Sequence, residues 1–221
     1  LLLVSVIGSG IAAQRLSPND VGIELLENAI ATGAALVAII LALGAVSGAH
    51  LNPVVSIADA AFGGMRWRDA GVYTTAQILG AATGTVLANL MFSLDAVNVS
   101  HHARSSTNLW LGEVVATFGL LLVIFGVVRS GRAFMAPFAV GAYITGAYFF
   151  TSSTSFANPA VTIARTMSDT FAGIDPSSIP AFVGAQIVGL AVAVAAIRVL
   201  WPSIGEVADD VIVPHGTSEA A

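Results

Sequence analysis

Cysteine and lysine are both absent from this 221-residue chain, and charge of either sign is scarce. Without cysteine there can be no disulfide and no thiolate metal site. All eight basic residues are Arg, and they are scattered, so no basic cluster points to nucleic acid. Charged residues make up 10% of the chain, against about a quarter in a soluble domain. Hydrophobic residues make up 56%, and the mean hydropathy is +0.87. These values exclude an ordinary soluble fold and indicate an integral membrane protein. The net charge of −5 is concentrated after Trp201, where Glu206, Asp209, Asp210 and Glu219 sit among Gly, Pro and Ser. Residues 202–221 therefore read as an acidic, solvated tail.

A spanning helix needs about 20 mainly apolar residues. Five stretches qualify, near 25–46, 70–93, 109–128, 133–150 and 179–201. The opening LLLVSVIGSGIAAQRL is apolar but short, and no positive residues precede it as in a signal sequence. It reads as the second half of a sixth spanning helix, truncated in this chain. With both termini cytoplasmic, Arg66, Arg68, Arg129, Arg132 and Arg198 fall inside, while Arg15, Arg104 and Arg165 fall outside. That is a modest positive-inside bias.

The chain also repeats itself. NPVVSIADA at 52–60 matches NPAVTIART at 158–166, AQILG at 76–80 matches AQIVG at 185–189, and LLLVSVIG at 1–8 resembles LLLVIFGV at 120–127. Three matches in one order, at similar offsets, define a duplicated unit: repeat 1 near 1–93 and repeat 2 near 109–201. Each unit holds three spans, an odd number, so the copies must lie in the membrane with opposite orientation. Within each unit an Asn-Pro pair follows a short polar link. Asn is a favoured helix N-cap and Pro is suited to the first turn. About eight helix-compatible residues follow, too few to cross, so each segment must dip into the membrane beside protein or water. The inverted repeat brings Asn52 and Asn158 together near the midplane. Two helix N-termini aimed at one spot repel cations, and the Asn amides can donate hydrogen bonds to a neutral solute. The expected activity is passive conduction of small uncharged molecules.

The residues SGAHLNPVVSIA (47–58), FANPAVTIA (156–164), the two AQI-x-G helices and Glu113 in LGEVVATFGLLLV resemble the major intrinsic protein family, the aquaporins and aquaglyceroporins. The resemblance runs from residue 1 to about 201. It implies an all-α membrane fold with six transmembrane helices and two re-entrant half-helices, a homotetramer in membrane lipid with one pore per subunit, and no cofactor. It also implies that Glu113 accepts hydrogen bonds from loop backbone. Its pore signature falls on Asn52, Pro53, Val54, Asn158, Pro159 and Ala160, with Val54 in place of the usual Ala. Its outer selectivity filter, counted from the two Asn residues, falls on Thr32, Gly146, Ser155 and Val161. Water-selective members place an aromatic, a His and an Arg at these positions, and glycerol channels two aromatics and an Arg. The four residues here include none of these, which implies a wide, Arg-free filter. Val at the Arg position resembles a bacterial branch associated with arsenic resistance, whose substrates include neutral arsenite. A water-selective or ordinary glycerol-type channel is the alternative.

Asp59 and Arg165 lie seven residues after their caps, at equivalent repeat positions. Charge at membrane depth is costly, so both are expected near the pore mouths. Two readings stand: vestibule lining, with Arg165 standing in for the lost filter Arg, or a peripheral ion pair or headgroup contact. His50, beside the first cap, is expected to hydrogen-bond within its loop rather than bind metal. His101 and His102, with Arg104, lie in an exposed loop where a metal site is a weaker reading. A secondary transporter also suits inverted repeats and broken helices, but the expected midplane offers Asn and apolar side chains instead of the ionisable groups that coupling needs. No nucleophile, base and orienting group converge, so an enzyme is not expected.

Overall fold

A computed structural model describes residues 1–206, and Asp209, Asp210 and Glu219 of the expected tail lie outside them. The elements in chain order are α1 (Leu2–Leu16), α2 (Val21–Ser47), α3 (Pro53–Phe62), α4 (Trp67–Met91), α5 (Thr107–Arg129), α6 (Ala136–Phe150), α7 (Pro159–Ala164) and α8 (Ile179–Leu200). Short 3₁₀ turns precede α6, follow α7 and precede α8. No strand occurs among the described residues. The result is an all-α bundle in which two short helices, α3 and α7, interrupt the longer ones.

Among the described residues, four segments combine the length and hydropathy of a membrane span: Val21–Ser47, Thr107–Arg129, Ala133–Phe150 and Pro176–Leu200. The expected span at 70–93 is the 25-residue α4, which has the length but a more polar composition. Much of its polarity is spent inside the protein. Gln77 Nε2 donates to Ser56 Oγ at 3.1 Å, and Asn89 Nδ2 donates to the carbonyls of Ala96 (3.2 Å) and Met167 (2.9 Å). Thr75 and Thr83 back-bond to the carbonyls four residues earlier. A helix whose polar groups find internal partners can cross with less apolar character.

In lipid there is little hydrophobic drive between helices, so close packing and small residues hold them together. A Cβ on Gly33 of α2 would lie 2.9 Å from the Gly141 carbonyl of α6, and one on Gly141 would lie 2.7 Å from the Gly33 carbonyl. The two backbones touch there, and any larger residue would push them apart. Gly189 does the same for α8 against the Val114 carbonyl of α5, at 2.7 Å. Asn28 of α2 ties to α1 by donating to the Val6 carbonyl (2.9 Å) and Ser9 Oγ (2.8 Å).

Three arginines mark the ends of the two half-helices. Arg198 Nη2 donates to the Ala61 carbonyl at 2.9 Å and lies 5.9 Å from the Phe62 ring centre, so it sits at the C-terminal end of α3, where helix carbonyls favour a cation. Arg104 and Arg165 meet at the other end, around Phe156. One expectation about the tail is corrected: the packed body does not stop at Trp201. Ile204 is 3% exposed and joins the core that contains Phe62 and Phe125, while Trp201 packs against Gly126. An apolar side chain so placed holds residues 202–206 to the bundle.

Candidate functional site: a cavity braced by two asparagines

The two Asn-Pro loops share an unusual backbone. Ala49 and Leu51, three and one residues before Asn52, have φ of 45° and 54°; Ser155 and Ala157, placed identically before Asn158, have φ of 51° and 46°. Left-handed conformations at non-glycine residues cost of order 1–3 kcal/mol each, so four in register require compensation. Part of it is Glu113. Its buried carboxylate accepts from the Phe156 and Ala157 amides, both at 2.8 Å, and from Gln186 Nε2 at 2.6 Å. Gln186 also donates to Thr162 Oγ1 at 2.9 Å. The first repeat mirrors this with Gln77, which donates to Ser56 Oγ, while His50 Nδ1 lies 3.0 Å from the same hydroxyl. His50 Nε2 lies 3.9 Å from Asp59 Oδ2, so the ring sits between the Ser56 and Asp59 side chains of α3.

Asn52 Oδ1 caps α3 by accepting from the Val54 amide at 3.1 Å, and Asn158 Oδ1 caps α7 by accepting from Ala160 (3.1 Å) and Val161 (3.3 Å). Each side-chain amide then reaches across the pseudo-symmetry. Asn52 Nδ2 donates to the Ala157 carbonyl at 2.7 Å, and Asn158 Nδ2 donates to the Leu51 carbonyl at 2.8 Å. A side-chain amide carries two N–H donors. One on each Asn is used by this reciprocal brace, which leaves the second N–H of each outside it. Pro53 and Pro159 occupy the first helical turn. The half-helices differ in length: α3 has ten residues and α7 six, where about eight were expected of each. α7 gives way to a 3₁₀ turn at Arg165–Met167, whose carbonyls pair with the loop at 98–100. Asn98 and Ser100 amides donate to the Met167 and Thr166 carbonyls at 3.0 and 2.9 Å.

Both asparagines face one cavity of about 500 Å³. One end is apolar, walled by Leu36, Ile40, Leu120, Ile124, Val140 and Ile144. Five consecutive residues from Gly48 to Asn52 line it, so backbone polar groups form part of the wall. The rest of the wall mixes polar Thr32, Tyr148, Ser155 and Arg165 with apolar Phe156 and Val161. Three of the four expected filter positions, Thr32, Ser155 and Val161, are therefore brought together. Gly146 is not among them. It is exposed, outside this wall, and the aromatic two residues later, Tyr148, is on it. Two residues along a helix is more than half a turn, so Gly146 points away wherever Tyr148 points in. Counting back from Asn158 crosses a loop whose left-handed residues break any fixed register. The residues Pro137, Val140, Ile144 and Tyr148, at helical spacing, mark the face of α6 that lies on this wall.

The wall is also not free of arginine. Arg165 is 2% exposed, with its guanidinium 3.5 Å from the Phe156 ring centre and its Nε donating to the Ala172 carbonyl. Val54, the departure in the first signature, is fully buried in the core and off this wall. Asp59 is likewise buried and off it, beside His50 instead of at an open mouth. His101 pairs with Asp169, its amide and Nδ1 at 2.9 and 3.2 Å from the carboxylate. Among the described residues no group of three His, Cys, Asp or Glu could hold a metal ion.

The major intrinsic protein model matches residues 1–156. Aquaglyceroporin AqpS of Rhizobium meliloti (strain 1021) is 47% identical over 198 residues, covering 90% of this chain and 84% of that protein. The probable aquaporin NIP7-1 of Arabidopsis thaliana is 37% identical over 118 residues, covering 53% of this chain and 42% of that protein. The fold is similar to the X-ray structure of the aquaglyceroporin from Plasmodium falciparum, with a TM-score of 0.68 and 23% identity over 92% of this chain and 93% of that one. With its cross-braced asparagines and apolar helices, this multi-pass membrane chain belongs to the major intrinsic protein family, whose members are channels and not enzymes.

Proposed function

We propose that the protein is a passive channel for water and small uncharged solutes, including glycerol, urea and neutral metalloid hydroxides such as arsenite. The observation that carries this reading is the reciprocal Asn52–Asn158 brace on a single cavity. A neutral molecule crossing an apolar wall loses hydration, and the spare Asn N–H groups replace part of it at one point. Water whose oxygen is held by these donors is poorly placed to relay protons. At position 161 the filter carries Val where an Arg is usual in the family, which supports a passage wider than a water-selective one. Arsenite is an uncharged triol of glycerol-like size, and its inclusion rests on the resemblance of Val161 to the arsenic-resistance branch.

Tyr148 and Arg165 on the wall favour a second reading, an ordinary glycerol-type channel that excludes bulkier solutes. In either case we place the working form as a homotetramer in the cell's inner (plasma) membrane, with repeat 1 near 1–93, repeat 2 near 109–201 and cytoplasmic termini. Arg198 at the α3 end and Arg104 and Arg165 at the α7 end agree with that orientation. Stopped-flow swelling of proteoliposomes with water, glycerol, urea and arsenite tests the proposal. All four are expected to enter. Entry of glycerol without arsenite would select the second reading, and fast water flow alone would refute both.

A further inference from the structure

Val161 leaves the constriction without a cation from its own position, but the chain brings one back from a single turn further on. Arg165, four residues past Val161, ends α7, and its side chain lies on the same cavity wall. Two contacts fix the guanidinium, the face of Phe156 and the Ala172 carbonyl, and Tyr148 lines the same wall. Tyr148 OH is in turn 3.2 Å from Thr32 Oγ1. Polar groups from α2, α6 and the end of α7 thus share one wall. Arg104 approaches the same Phe156 ring at 5.1 Å, but its donors are committed to structure. Its amide donates to Ser178 Oγ (3.0 Å), its Nε to the Gly173 carbonyl (3.0 Å) and its Nη2 to the Phe171 carbonyl (3.4 Å), and it does not line the cavity.

We propose that Arg165 is the specificity-determining cation of this channel, and that with Tyr148 and Thr32 it forms a hydrogen-bonding site for small polyhydroxylated neutral solutes. This rests on the channel reading above. A guanidinium offers five N–H donors in a fixed fork, and only Nε is taken by Ala172. The Tyr148 and Thr32 hydroxyls can donate or accept. A solute with two or three hydroxyl groups can therefore exchange water for wall contacts on more than one side at once. The fixed positive charge, held in a poorly hydrated wall, repels cations strongly because little solvent screens it. Val161 leaves room beside the guanidinium that an Arg stem would fill, so charge and width are set by different residues.

The test compares proteoliposomes of wild type, Arg165→Gln, Arg165→Lys and Val161→Arg/Arg165→Gln for glycerol swelling and for proton and potassium leak. Arg165→Gln is expected to raise cation leak by roughly tenfold, the scale of one poorly screened charge, and to lower the glycerol-to-water ratio severalfold. Arg165→Lys keeps the charge without the fork, so its leak is expected at the wild-type level with the glycerol ratio still reduced. The double variant is expected to restore cation exclusion with a narrower solute range. Equal leak in wild type and Arg165→Gln would overturn the inference. So would equal leak in the Gln and Lys variants, because that reports lost packing instead of lost charge. Absence of any solute flux in wild type alone would refute the channel reading and this inference with it.

Discussion

At the α3 end of the cavity, the residue seven positions past the capping Asn is Asp59, buried beside His50 and off the cavity wall. At the α7 end, the equivalent residue is Arg165, equally buried but on the wall. The two halves begin alike, with the same left-handed loop residues, the same Asn cap and the same brace. They diverge after the first turn. α3 runs ten residues and closes at Gly63 in a left-handed C-cap, whereas α7 stops after six and tightens into a 3₁₀ turn at Arg165–Met167. Duplication thus supplies the shared centre, and local changes in each half set what lies on either side of it. Tyr148 and Arg165 of the proposed site come from the second half, and Thr32 joins them from the first.

That comparison can be broken at the supports of the loops. Glu113→Ala removes the acceptor for two buried amides and for Gln186, each about 1–3 kcal/mol when left unpaired. Little folded protein is expected in detergent, as read by size-exclusion chromatography after mild heating. Gln77→Leu removes the first-half contact to Ser56, about 1 kcal/mol, so folded protein is expected with a modest loss of heat resistance. Equal damage from both would mean that the halves are supported alike.

Smaller effects sharpen the contrast along the wall. Val161→Arg is expected to reduce glycerol and urea flux more than water flux, measured by swelling. Tyr148→Phe removes the hydroxyl near Thr32 and is expected to change the glycerol-to-water ratio by about fivefold, the scale of one hydrogen bond. Gly146→Ala is expected to leave both fluxes unchanged, since the added methyl would meet nothing closer than Phe150 at 3.6 Å. The smallest effect is expected at the exposed His101–Asp169 pair. The His101 amide and ring hold the Asp169 carboxyl below its usual range. Its contribution is therefore present above the unfolded carboxyl value and lost as pH falls through the lower folded one. A minor loss of heat resistance below about pH 4, with flux unchanged from pH 5 to 8, is the expected pattern for that pair.

The Asn-Pro caps, the inverted repeat and the support role of Glu113 were legible in the sequence because each depends on local chemistry. An Asn before a Pro caps a helix wherever it stands, and a carboxylate in an apolar run must find donors. Gly146 and Tyr148 were not separable in the same way. Their assignment required a register carried through residues 151–157, where Thr154, Ser155 and Ala157 are left-handed. Arg165 was visible as a charge at membrane depth, but the reach of its side chain to Phe156 and Ala172 depends on where the 171–173 segment folds back. The packing of Ile204 was hidden for the opposite reason, since one apolar residue among acidic and small ones carries no periodicity.

The central claim is passive conduction past two braced asparagines. Its most direct test is initial glycerol influx into proteoliposomes over a wide concentration range, with and without an imposed proton or sodium gradient. The account predicts influx that rises linearly with concentration, ignores both gradients and never exceeds equilibrium. Saturating influx, or accumulation driven by either gradient, would contradict it.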